Sequence, residues 1–155
     1  MLVRISLALL ILIVVVGRSM AEPINAAEMR VLDGDTVRVR ATTYRMVGYD
    51  TPEISSRWRS VGPDERAVAL IAKERFGELI RSGSLDFRTV PCSCSQSKIA
   101  RGFCNHHRKC AILLLDGTNV GEKLIAEELA VSYICDAEKC PKMPDWPKII
   151  EDQSR

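Results

Sequence analysis

Residues 29–53 read MRVLDGDTVRVRATTYRMVGYDTPE, and in them apolar residues alternate or cluster between turn signals over 29–32, 36–40 and 44–48. That pattern suits short, half-buried strands. The breaks at Asp33-Gly34-Asp35 and Ala41-Thr42-Thr43 are short enough to be hairpin connections, with Gly34 free to adopt a positive φ. An antiparallel meander of three strands is expected.

The period changes downstream. From Asp64 on, Val68, Ala72, Phe76, Leu79 and Ile80 recur at spacings of four and three, which lines them along one helix face. Pro63 and Asp64 suit the start of that helix, and Gly83 suits its end. Leu85, Phe87 and Thr89 alternate with Asp86 and Arg88 as a fourth strand, and the apolar run 110–115 closes at Asp116-Gly117 as a fifth. Residues 120–129 carry a second helical pattern, and 131–134 suit a last short strand. Beyond Asp136, Pro141, Pro144 and Pro147 argue against regular structure. The expected class is α+β, mainly β: a five-stranded barrel of the oligonucleotide-binding (OB) type with two to three helices.

The first 21 residues have the form of an address. An apolar run over 5–16 follows Arg4, and small residues at Ser19 and Ala21 suit a signal peptidase, so cleavage after Ala21 and export to the periplasm or exterior are expected. An uncleaved amino-terminal membrane anchor is the alternative. Residues 22–155 then form one domain. Without Arg4 and Arg18, the 22 basic residues fall to the number of acidic ones, 20, so net charge gives no general attraction to nucleic acid. Six cysteines in a small exported chain point to disulfides. Cys135 with Cys140 is the first pairing expected from adjacency, while Cys92, Cys94 and Cys104 would tie a long loop to the strand at Cys110. A zinc site drawing on these thiols and on His106 and His107 is the rival, at unconvincing spacing.

Taken alone, Asp33-Gly34-Asp35-Thr36 is an ordinary hairpin turn and Asp50-Thr51-Pro52-Glu53 an ordinary capped turn. Together they carry what phosphodiester chemistry requires. Asp35 and Asp50 offer hard oxygen ligands to a divalent cation, and Glu53 stands beside them as a base or water-orienting group.

This conjunction resembles the staphylococcal nuclease (thermonuclease) family, whose signature joins a DGDT turn to an R-x-x-x-x-D-T-P-E strand end, here Arg45 to Glu53. The similarity runs over roughly residues 29–133, including Arg108 eight residues before the Asp116-Gly117 turn. His107 and Lys109 stand where the family usually has glycines, and the tail is shorter than the family's usual final helix. The resemblance implies a monomeric enzyme that hydrolyses DNA or RNA with little sequence preference and without an obligate protein partner. It implies that Asp35, Asp50 and the Thr51 carbonyl hold Ca²⁺, that Glu53 activates water, and that Arg45 and Arg108 clamp the phosphate. His106 and Tyr133 fall near positions where the family stacks a nucleotide base. Two guanidiniums and a cation would stabilise charge gathering on the phosphoryl oxygens. The rival readings are a non-catalytic OB-type module binding nucleic acid or protein, and a structural surface protein stabilised by Ca²⁺.

Overall fold

A computed structural model describes residues 24–136 and 139–155; the expected signal peptide lies outside the described residues. The meander is present as β1 (Met29–Asp33), β2 (Thr36–Val39) and β3 (Thr42–Met46), paired antiparallel in sequence. The second turn is Arg40-Ala41, with Arg40 at φ 54°, so the third strand starts two residues earlier than the pattern suggested. Residues 48–50 leave this sheet and form β4 (Gly48–Asp50).

The long helix α1 (Pro63–Arg81) starts with proline in its first turn, where the missing N–H costs nothing. It buries Ala69, Ala72, Phe76, Leu79 and Ile80, while Val68 is only half-buried. Burying a side chain such as Phe76 is worth about 1.5–3 kcal/mol. The chain continues through β5 (Leu85–Val90), α2 (Gln96–Ala100), β6 (Lys109–Leu115), β7 (Thr118–Asn119), α3 (Val120–Ala126), β8 (Val131–Tyr133) and α4 (Trp146–Gln153).

The main sheet is mixed, in the order β1-β2-β3-β6-β5, with β7 beside β6; β4 and β8 form a separate pair. Val37, Met46, Phe76, Leu113, Leu115 and Leu124 meet in the core beneath it. No pairing between β1 and β5 closes a barrel among the described residues. Among the described residues four α-helices are present, against two to three expected. The additional ones are α2, inside the cysteine-rich loop, and α4, in the proline-rich tail. The tail folds because Pro147 falls in the first turn of α4, where proline is tolerated, and Trp146 at its start is buried.

All six cysteines are paired, as Cys92–Cys110, Cys94–Cys104 and Cys135–Cys140, so no thiolate is left for zinc. Three disulfides suit an oxidising environment. Among the described residues, no helix is long and apolar enough to cross a membrane.

Candidate active site

The parallel pairing of β3 with β6 puts Arg45 opposite Cys110, so Arg45 and Arg108 come together from segments far apart in sequence. The turn between β1 and β2 turns Asp35 inward, and the end of β4 buries Asp50 beside it. Gly34 is required here by close approach, and not by the positive φ that its place in a turn suggested. A Cβ at Gly34 would stand 2.8 Å from the Thr51 side chain. That contact locks the DGDT turn against the DTPE segment.

Arg45 bridges both buried carboxylates. Its Nη1 forms an ion pair with Asp35, and its Nη2 lies 2.5 Å from Asp50 Oδ1 while also donating to the Tyr49 carbonyl at 3.3 Å. Asp35 Oδ2 accepts from the Thr51 amide and hydroxyl at 3.4 and 3.3 Å, and Asp35 Oδ1 accepts from the Thr36 hydroxyl at 2.8 Å. Asp50 Oδ2 accepts from the Trp146 indole N–H at 2.8 Å. Each carboxylate is therefore met by a guanidinium and by neutral donors, as a buried charge requires.

Arg108 is half-buried. Its side chain donates to the Asn105 carbonyl at 3.3 Å, to Asn105 Oδ1 at 3.1 Å and to the Thr36 hydroxyl at 3.3 Å. Burial, and then repulsion from Arg45, push its pKa down, while Glu53, Asp33 and Asp50 act in the opposite sense. Glu53 is also half-buried, and burial, followed by the nearby negative charges of Asp33 and Asp50, raises its pKa against the pull of Arg45 and Arg108. Burial raises the pKa of Asp33 as well, opposed by the Gly34 amide, Arg45 and Lys73. Asp33, Arg45, Asp50, Glu53 and Arg108 thus share one electrostatic field.

The outer residues divide. Tyr133, in β8, is half-buried, and its hydroxyl donates to the Pro141 carbonyl at 3.0 Å. Its pKa is raised by burial and then by Asp50, which puts it at the margin of the same field. His106 is exposed, and none of the hydrogen bonds described for Asp35, Arg45, Asp50, Thr51 or Arg108 involves it. Asn105, His106 and His107 take positive φ values of 48°, 54° and 64°, a conformation that explains why glycine suits position 107. Among the described residues, no group of three or more His, Cys, Asp or Glu side chains is already gathered in a form that could hold a metal ion.

Four contributors escaped the sequence reading. Asp33 reads from sequence only as part of a turn. Asn105, the anchor of Arg108, lay in an unassigned loop. Glu65, buried and accepting from the Glu53 amide at 3.2 Å, has no sequence signal beyond its place after Pro63 and Asp64. Trp146 had no local signal at all.

The loop that carries Arg108 is stapled by Cys94–Cys104 internally and by Cys92–Cys110 to β6. Replacing Cys92 and Cys110 together with serine is expected to cost about 3 kcal/mol of stability, the scale of cross-linking a loop of this length. Urea unfolding measures it; an unchanged midpoint would mean that the loop is held without the bridge.

No protein-family model matches the chain, and no curated protein does.

Proposed function

We propose that this chain is an exported, Ca²⁺-dependent nuclease of the staphylococcal nuclease-like type, hydrolysing DNA or RNA with little sequence preference. The observation that carries this reading is the shared field of Arg45, Asp50, Glu53 and Arg108, with Asp35 joined to it through Arg45. The sheet order also fits a partly open five-stranded barrel of the OB type: counting only the five strands β1, β2, β3, β5 and β6, the last two exchange places after a helical crossover.

The residues fit a divalent cation by charge. Asp33, Asp35, Asp50 and Glu53 outnumber Arg45 and Arg108; Lys73 acts on Asp33, and Arg59, paired with Glu65, interacts with Glu53 and Asp50, and with all of these counted the cluster still carries surplus negative charge. Asp35, Asp50 and the Thr51 carbonyl would hold Ca²⁺, which supplies positive charge toward the phosphoryl oxygens. Arg45 and Arg108 bind and orient the phosphate, and their planar forks suit its paired oxygens. Glu53 takes the proton from the attacking water. Interactions that strengthen as charge gathers at phosphorus are those that accelerate the reaction.

One observation favours a second reading. Arg45 is engaged by both aspartates, and in a non-catalytic module that pairing would be purely structural. Cleavage of single-stranded DNA and of RNA by the oxidised protein, with Ca²⁺ or with chelator, separates the two. Glu53→Gln is expected to lower Ca²⁺-dependent cleavage by about a hundredfold or more. A well-folded wild type that cleaves neither polymer with any divalent cation gives the chain to the binding module.

As the base Glu53 works ionised, so kcat/KM should rise with pH through its titration, and Glu53→Gln should lack that limb; without a cation, burial and the charges of Asp33 and Asp50 hold its pKa above that of a free glutamate. Stability runs the other way. A carboxyl whose folded pKa exceeds its unfolded one holds its proton more tightly when folded. Its contribution is complete below the unfolded pKa and is lost as pH rises through the folded pKa. At neutral pH, Glu53→Gln is therefore expected to unfold at no lower urea concentration than wild type.

A further inference from the structure

The segment between Glu53 and α1 carries Trp58, which is 77% exposed, whereas the other tryptophan, Trp146, is 1% exposed. Residues 55–61 and Arg66 line an open cleft of about 600 Å³ that includes Ser56, Arg57, Trp58 and Arg59. Scattered exposed apolar residues are common on protein surfaces, so exposure alone means little. Here the surroundings give it meaning.

The loop is pinned. Arg59 grips the buried Glu65 with two hydrogen bonds, at 2.7 and 2.5 Å, and the same Glu65 accepts from the Glu53 amide at 3.2 Å. The Trp58 amide is held by the Ser56 hydroxyl at 3.1 Å. One buried carboxylate therefore fastens both the candidate base and the loop that presents the indole. The Arg57 guanidinium lies 6.0 Å from the Trp58 ring centroid, within range of a cation–π contact. Among the described residues, neither Arg57 nor Arg66 is taken up in an ion pair. The charges of Glu53 and Asp50 are felt at Arg59, which sets the cleft beside the candidate site.

An exposed aromatic face flanked by guanidiniums, on a loop tied to a buried carboxylate, is an arrangement that binds single-stranded nucleic acid: bases stack on the ring, and cations follow the phosphates. We propose that Trp58 is a stacking platform for an unpaired base of a single-stranded nucleic acid, with Arg57 and Arg66 contacting its backbone phosphates. This rests on the nuclease reading for its biological sense, and it directs that nuclease toward unpaired strands. Stacking tolerates any base, which suits an enzyme with little sequence preference.

Binding is measured with chelator present, so the result does not depend on cleavage. The probes are a single-stranded oligothymidylate and an abasic deoxyribose-phosphate strand of equal length, followed by fluorescence of the exposed Trp58 and by anisotropy of labelled strands. Trp58→Ala is expected to weaken oligothymidylate binding about tenfold or more and to leave the abasic strand unaffected, while Trp58→Phe retains most of the affinity. Arg57→Ala with Arg66→Ala should weaken both strands and flatten the salt dependence. Equal binding of oligothymidylate by wild type and Trp58→Ala overturns the platform, as does an equal loss on both strands. Failure to bind either strand, with Trp58-dependent binding to anionic vesicles instead, gives the patch to a membrane surface. A wild type that binds as described yet never cleaves would sink the nuclease reading and leave the platform standing.

Discussion

Replacing Arg45 with alanine is expected to cost about 3–5 kcal/mol of folding stability, a large part of what a domain of this size possesses. Side-chain exposures of 12% for Arg45, 9% for Asp35 and 2% for Asp50 leave little solvent to screen the loss. The cost arises less from the attraction removed than from what remains: two neighbouring carboxylates, both buried, with no guanidinium left in contact with either. Arg45→Lys should recover only part, because an ammonium cannot span both carboxylates as a planar fork does. Pairing Arg45→Ala with Asp50→Asn should cost less than the sum of the single changes, since the second substitution removes a charge that the first has stranded. Urea unfolding of the four proteins forms the cycle, with activity as a separate readout. If Arg45→Ala unfolds within about 1 kcal/mol of wild type, the bridging geometry is not what holds this corner together, and the surplus-charge argument for a cation weakens with it.

What could be read from the sequence follows from how local each signal is. The meander was legible because two-residue alternation reports which face of a strand is buried, and Val37 and Val39 are indeed buried. The face of α1 was legible from Ala72, Phe76, Leu79 and Ile80, although the spacing points to Val68 where Ala69 packs inward. The role of Gly34 was not legible, because it depends on Thr51 pressing against the turn. Nor could any local pattern reveal that β3 would pair in parallel with β6, which is what unites Arg45 with Arg108. Only the resemblance to a family links that pair in the sequence. The two non-adjacent disulfides followed the same logic: a tie to Cys110 was expected, but the partner depended on how the loop folds back.

The tail shows the limit most plainly, and it yields the other large effect. Pro141, Pro144 and Pro147 suggested a chain without structure, yet Trp146 is 1% exposed and donates its indole N–H to Asp50 across 96 residues of sequence. Trp146→Ala is expected to cost about 3–5 kcal/mol, chiefly through the cavity it leaves. Trp146→Phe separates packing from polarity. It keeps most of the buried ring but deprives Asp50 Oδ2 of a donor, an expected loss of about 1–3 kcal/mol. If Asp50 is a cation ligand, the indole also positions that ligand, because its second oxygen is aimed by the bond to Trp146. Removing such an orienting partner commonly lowers metal affinity by about 10- to 100-fold. Trp146→Phe should therefore need correspondingly more Ca²⁺, both for half-maximal thermal stabilisation and for half-maximal cleavage, and saturating Ca²⁺ should restore most of the rate. A variant that loses stability but keeps the wild-type Ca²⁺ dependence would reduce Trp146 to a packing residue. A shifted Ca²⁺ dependence in stabilisation, with no cleavage by wild type or variant at any Ca²⁺ concentration, would point to the structural cation and away from the enzyme.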